Sequence, residues 1–385
     1  MDPYLRDVLD LCIRLLHVTA GIAWIGASFY FVRLDLALRP PRVQEDVAAG
    51  VAGEFWGVHG GGLYHSRKYR LAPAEMPEPL HWFKWEAYTT WLSGFGLMIL
   101  LYYIDADIRL VDPAVAGLEV WEAIVLSVGG IVAAWLVYDV LCRTLGELSR
   151  TALVAVGVGL VALAAWGAGE LFSARAAYLQ VGAMLGTIMA ANVFFVIIPA
   201  HRKLVAAMAE KREPDPAPLF RAKDRSVHNN YLTLPVLFTM LAGHFAFTFG
   251  ADDAWLVFVL IAVLTALIRV FFSRWHAGRR AWWILAVATA SVVALAIWLE
   301  PDSPPVPATR VTFEEIAPIV EERCASCHSG AAAPLGIKFE TQAQIEAWAG
   351  PIEQQAVLTR AMPPGNATGI TEEERESLAA WAASR

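Results

Sequence analysis

The chain has 385 residues, 57% of them hydrophobic, and a mean hydropathy of +0.47. That is too apolar for an ordinary soluble protein. The formal net charge is −7, and nothing in the sequence suggests nucleic-acid binding.

A membrane span takes about 20 apolar residues. Eight such segments follow one another, near 9–32, 86–104, 121–141, 150–171, 178–200, 232–250, 253–272 and 281–300. The expected fold class is therefore all-α, a polytopic bundle of eight transmembrane helices. The first segment is long and interrupted by Arg14 and His17, so it reads as a span and not as a cleavable signal. Only Ala251 and Asp252 separate the sixth and seventh segments, which predicts a tight helical hairpin.

Alternate loops are basic. The first long loop, the 201–231 loop and the 273–280 loop carry nearly all of the Lys and Arg between spans, whereas 105–120 and 251–253 are mostly acidic. Basic loops stay on the cytoplasmic side. An even number of spans then puts both termini outside, in the periplasm of a bacterial inner membrane.

The first cytoplasmic loop holds a dense run, Gly53 to Arg70, that includes His59, His65, Lys68, Tyr69 and three consecutive glycines at 60–62. It continues through His81-Trp82-Phe83-Lys84-Trp85-Glu86 into the second span. Glycine permits close backbone approach, aromatic rings stack on a planar ligand, basic groups suit an anion, and histidine suits proton transfer near neutral pH. Singly, each has a plainer reading: Trp82 and Trp85 as an interfacial belt, the basic run as an inner-side marker, His59 and His65 as haem ligands. Together they read as a site for a flat anionic ring, with His59 or His65 as base and Lys68 and Lys84 as anion partners. Arg225-Ser226-Val227-His228-Asn229-Asn230-Tyr231 falls on the same side and extends the cluster, its asparagines suited to reading carbonyl and N–H edges.

Ionisable residues inside spans are costly and point to function. They are Arg14, His17, Asp139, His244 and Arg269. Asp139 and Arg269, near inner helix ends, fit capping or snorkelling. His17 and His244 fall at matching depths, roughly 9–12 Å below the outer face. That pair suits either a hydrogen-bonded core or the clamp of a haem b, with Arg14 placed for a propionate. A haem relay would also help electrons cross a hydrocarbon layer of about 30 Å. Cys12 and Cys142 lie near opposite faces and read as small packing residues.

After the last span comes a proline-rich stretch, 301–309, which acts as an extended spacer. Residues 310–385 follow as a small helical domain with eleven Asp/Glu against six Lys/Arg, and they hold most of the net negative charge. Within it lies Cys324-Ala325-Ser326-Cys327-His328, the attachment signature of a covalent haem c. Two thiols three residues apart reach one haem edge, and His328 then lies against the iron. Zinc would find only half of its usual four ligands here. Met362, the only methionine after this motif, sits among prolines and is the expected second axial ligand. Haem c is attached on the oxidising side of the membrane, which agrees with the topology drawn from the basic loops.

These stretches resemble the bacterial membrane-bound urate oxidases, also called urate hydroxylases, with a fused cytochrome c domain. The likeness runs through His17–Gly26, Val58–Leu71, His81–Tyr88 and Arg225–Phe238, and on to the Cys324 and Met362 motifs. It implies a class I-like cytochrome c tail behind a 1–300 oxidase domain. It further implies oxidation of urate to 5-hydroxyisourate, with electrons leaving through cytochrome c to a respiratory acceptor such as a cytochrome c oxidase. The residues considered for this chemistry are His59, His65, Lys68, Tyr69, Lys84, Glu86 and His228. The competing readings are a quinol-oxidising membrane cytochrome and a membrane-anchored electron carrier.

Overall fold

A computed structural model describes residues 2–73, 75–210, 212–300, 311–330 and 333–384. The linker at 301–309 and the loop residue Lys211 lie outside them. The chain is 71% helix and 5% strand.

Helix α1 (Pro3–Ala37) starts at Asp2, whose side chain accepts from the Leu5 N–H at 2.9 Å, with Pro3 at the first helical position. A short α2 (Gln44–Ala48) leads into strands β1 (Val51–His59) and β2 (Gly62–Tyr69). Helix α3 (Trp85–Met98) runs on through a π turn at Ile99–Tyr103, and α4 (Ala106–Arg109) follows. A Glu119–Glu122 capping box opens α5 (Val120–Leu148). The chain turns sharply at Ser149, which caps α6 (Arg150–Gly169). Helix α7 (Ala174–Ala191) continues through a π segment at Asn192–Ile197 into α8 (Ile198–Ala209). Next come α9 (Ala217–Ala242), α10 (Ala246–Phe249), α11 (Ala254–His276) and α12 (Trp282–Trp298).

Five of these are long and apolar enough to cross a membrane: α1, α5, α6, the joined α7–α8, and α11. Helix α12 is a shorter apolar helix, and α3 and α9 lie at the remaining two predicted segments. The chain turns at 251–253, where the sixth and seventh segments meet, but the sixth segment is not one continuous helix. Helix α9 ends at Ala242, and a turn at 243–245 plus α10 fill the gap before α11. Helix α7 lies at the centre, with Tyr178, Gln180, Val181, Leu185 and Met189 all buried. An apolar residue of a membrane bundle loses nothing by facing lipid, so the apolar exposure of α1 and α12 is expected of peripheral helices.

The C-terminal residues form a second core. Helices α13 (Phe313–Arg323), α14 (Gln342–Ala347), α15 (Ala349–Ile352) and α16 (Glu372–Ala383) enclose Ile316, Val320, Ile345, Ile352, Leu378 and Trp381. A Thr371–Glu374 capping box opens α16. This unit rests on the end of the bundle opposite the basic loops. Ala361 packs against the bundle core. A Cβ on Gly365 would come within 3.0 Å of the Ile108 carbonyl and 2.9 Å of that of Val111. One on Gly250 would come within 2.2 Å of the Thr359 carbonyl. Glycine is what allows these backbones to meet.

Candidate active site

The histidine-rich loop is an antiparallel hairpin with Trp56 opposite His65 and His59 opposite Gly62. Gly60 and Gly61 have φ of 57° and 81°, the pair of positive values that a two-residue hairpin turn requires. The glycine run therefore builds the turn, and no ligand need approach it to explain it. His65 Nε2 lies 2.8 Å from Glu54 Oε2, and its ring stacks on Trp56 at 4.1 Å. Glu54 is 4% exposed, so its carboxylate orients the imidazole from below. Lys68 pairs with Asp35, which also lies 3.8 Å from Lys223 of α9. His59 is exposed at the tip, and Tyr69 is half-buried at the base. Lys84 lies over Trp85, and Glu86 is 3.8 Å from His81.

His228 belongs to a different constellation, between α5, α7 and α9. Asp139 accepts from Arg225 and from Arg143, each at 2.7 Å. Arg225 also lies over the Tyr138 ring, 4.8 Å from its centroid. The Tyr138 hydroxyl is 2.8 Å from His228 Nδ1 and accepts from the Asn192 amide at 3.0 Å. Asn192 donates on to Asn229 at 2.8 Å, and Asn229 donates to the Met189 carbonyl. Asn192 opens the π segment after α7, a helix irregularity that recurs at functional sites. This network floors a cavity of about 320 Å³ whose lining includes Cys142, Arg150, Arg221, Asp224, Arg225 and His228.

The electrostatics of the cavity suit an anion. Its lining has four guanidinium groups, Arg143, Arg150, Arg221 and Arg225, against two carboxylates, Glu147 and Asp224. Arg150 is partly compensated by Asp224 at 3.0 Å, and Arg225 by Asp139 at 2.7 Å. His228 precedes the apolar segment that starts near 232. Burial first, and the Arg225 charge second, hold its imidazole below the ordinary value, so it is neutral at pH 7.

Sequence reasoning had His228 and Arg225 but not their partners. Asp139 looked like an end cap and Cys142 like packing, whereas Asp139 anchors Arg225 and Cys142 lines the cavity. The available signal was a pair of opposite charges, each just inside the basic end of its helix. The asparagine pair is also placed differently from expectation. Asn229 accepts from Asn192 and donates to the Met189 carbonyl, and the Asn230 oxygen accepts from Arg269.

The two histidines that fall within predicted spans part company. His17 Nδ1 is held by the Thr90 carbonyl at 2.9 Å and the Ser93 hydroxyl at 3.1 Å. His244 lies in the exposed turn after α9, because that helix ends two residues before it. Arg14 pairs with Asp10 at 2.8 Å.

In the C-terminal unit, Cys324 follows α13, and the N–H groups of Cys327 and His328 both bond back to its carbonyl, at 3.2 and 3.0 Å. His328 Nδ1 donates to the Ile337 carbonyl at 3.0 Å, which leaves Nε2 as the free lone pair that an iron ligand needs. Cys324 and Met362 pack against the same small core. Burial pushes the Cys324 thiol up to about 11. These residues fit a haem c. No cluster of three or more His, Cys, Asp or Glu that could hold a metal ion occurs among the described residues.

The family described as urate oxidase N-terminal matches residues 3–300. No curated protein and no solved structure matches the chain. The match ends where the linker begins, so it takes in the whole helical bundle and both polar constellations. By that match the chain belongs to the urate oxidase N-terminal family, and it is an oxidoreductase of urate-related oxidation.

Proposed function

We propose that the chain is a membrane-bound urate oxidase that passes electrons to a fused haem c and on to a respiratory acceptor such as a cytochrome c oxidase. The bundle is read as eight spans with the basic loops inside and the C-terminal domain in the periplasm. The reaction is urate plus water to 5-hydroxyisourate, two protons and two electrons.

The observation that carries this is the 320 Å³ cavity with its guanidinium groups and His228. Urate is a flat anion at neutral pH. Arg150 and Arg221 draw it in, and Arg225, held by Asp139 and Tyr138, orients its charged edge. In the tautomer whose Nδ1–H donates to the Tyr138 oxygen, His228 has its Nε2 lone pair free. It takes a proton as water adds to the purine. His328 and Met362 would hold the haem, which supplies a one-electron sink of raised potential. The docking of the Met362 loop at the acidic end of the bundle supports delivery of electrons outward. His17, with Nδ1 tied to a carbonyl, presents Nε2 as a haem b ligand does, and a pyridine haemochrome assay of the purified protein decides whether haem b accompanies haem c.

One observation favours a second location for the base. The Glu54–His65 pair is a carboxylate-oriented imidazole stacked on an aromatic face, with Lys68, Tyr69 and Lys84 in the same region. Urate added anaerobically to washed membranes should reduce the haem c absorption. Reduction by quinol alone would establish the quinol-oxidising reading instead, and reduction by neither would establish the electron carrier. If His228 is the base, His228→Gln abolishes reduction and His59→Ala and His65→Ala do not. The reverse pattern moves the site to the hairpin.

A further inference from the structure

A second cavity, of about 490 Å³, opens at the basic end between α1, α9 and α11; Tyr231 of α9 lies three residues after His228, but the two cavities share no lining residue. It is lined by Leu36, Tyr231, Val270, Ser273, Arg274 and Arg279, with Ala277 between the last two. Its apolar wall is Leu36 and Val270, its polar rim the two arginines, and it has no carboxylate in its lining.

Helix α11 carries unused hydrogen-bonding capacity at this place. Arg269, Ser273 and His276, at i, i+4 and i+7, share one helix face. Each has a buried polar atom with no hydrogen-bond partner among the described residues: Arg269 Nε, Ser273 Oγ and His276 Nδ1. Such atoms are costly to leave unsatisfied. Arg269 is 5% exposed, donates to Asn230, and lies 3.7 Å from the centroid of Phe29. The charges of Arg33 and Arg269 both reach His276. No ion pair to Arg33, Arg269, Arg274 or Arg279 occurs among the described residues. The α1 carboxylate next to Leu36, Asp35, is already engaged by Lys68 and Lys223.

An oxyanion with several acceptor oxygens and an apolar tail answers each of these features. The oxygens would meet Arg274, Arg279 and the Ser273 hydroxyl, and the tail would lie along Leu36 and Val270. Basic pockets between helices on the cytoplasmic side are where anionic lipid headgroups bind. We propose that this cavity holds the phosphate of an anionic phospholipid of the inner leaflet. The inference rests on the membrane reading above and not on urate chemistry.

The test uses the full-length protein purified in mild detergent and delipidated. Thermal unfolding is followed on addition of dioleoylphosphatidylglycerol, dioleoylphosphatidylcholine, inorganic phosphate or urate, alongside native mass spectrometry for retained lipid. Phosphatidylglycerol should raise the unfolding midpoint saturably, and phosphatidylcholine should not. The Arg274→Gln/Arg279→Gln variant should bind phosphatidylglycerol about 30-fold more weakly, the attraction of two basic side chains. Arg280→Gln, one residue beyond the lining, should bind as the parent does. The double variant should still reduce haem c with urate. Equal stabilisation by the two lipids, an unchanged affinity in the double variant, or saturation by inorganic phosphate alone overturns the proposal. So does a urate-induced shift that the double variant abolishes, which would make this cavity the substrate site. Failure of urate to reduce the parent protein tells against the oxidase reading and leaves the lipid result standing.

Discussion

The Asp139–Arg225 pair offers the sharpest test of the site, because its removal strands a buried charge. Arg225 is 5% exposed and donates its shortest hydrogen bond to Asp139 Oδ1, at 2.7 Å. Its remaining contacts with Asn192 and the Asp139 carbonyl are both at 3.4 Å, and its ring contact with Tyr138 is at 4.8 Å. Breaking a buried ion pair costs about 3–5 kcal/mol. The Tyr138 ring still offsets roughly 1–2 kcal/mol of the stranded charge. Asp139→Ala should therefore destabilise the protein by about 3 kcal/mol, the lower end of that range. The double variant Asp139→Ala/Arg225→Met removes both charges and should recover to within about 1 kcal/mol of the parent. Reversible unfolding in mixed micelles, followed by tryptophan fluorescence, reads both values. Urate-dependent haem reduction should fail in both, since neither has an oriented guanidinium at the cavity. An Asp139→Ala protein within about 0.5 kcal/mol of the parent, the range of ordinary surface changes, would refute the buried-pair argument.

Other outcomes follow from the same geometry. His228→Gln should lower kcat by about a hundredfold or more with a small change in KM, as loss of a general base does; an unaltered kcat removes His228 from the chemistry. Because burial and Arg225 lower the His228 pKa, the parent's rate should be level above pH 7 and fall only on acidification below about 6.5, the ordinary histidine value. The acidic limb should disappear in the glutamine variant. In the C-terminal domain, Arg323 holds the Glu374 carboxyl below its usual range. The folded form is thus favoured above the ordinary carboxyl value and loses that advantage as pH falls, so Glu374→Gln should narrow the difference in stability between pH 7 and pH 3. Gly365→Ala forces a Cβ against the Ile108 and Val111 carbonyls, and it should slow haem reduction by urate while leaving covalent haem content, read on a denaturing gel by haem staining, unchanged.

Much of the bundle was legible because span-length apolar runs and cap residues are local properties. Glu119 with Glu122, Ser149, and Thr371 with Glu374 cap helix starts in the structure. The end of α9 was not legible. Residues 243–250 are apolar enough to extend a helix, and only packing decides that Gly243 and His244 turn and that α10 forms. His244 leaves the helix for that reason, and its predicted symmetry with His17 goes with it. The sequence reads the glycine run at 60–62 as room for close approach to a ligand, and the strand pairing on either side makes it a hairpin turn instead.

The proposed haem attachment motif is legible in sequence alone, because covalent chemistry would need two thiols and an imidazole at fixed spacing on one turn. The same holds for the basic and acidic ends of the bundle, which are sums of charge along the chain. Which histidine has a free nitrogen, which asparagine is spent on a neighbour, and which arginine is anchored are pairings between residues as many as 90 positions apart. No local pattern encodes such pairings. They exist only once α5, α7 and α9 are packed together, since a buried polar group must take its partner from whichever helix the packing brings beside it.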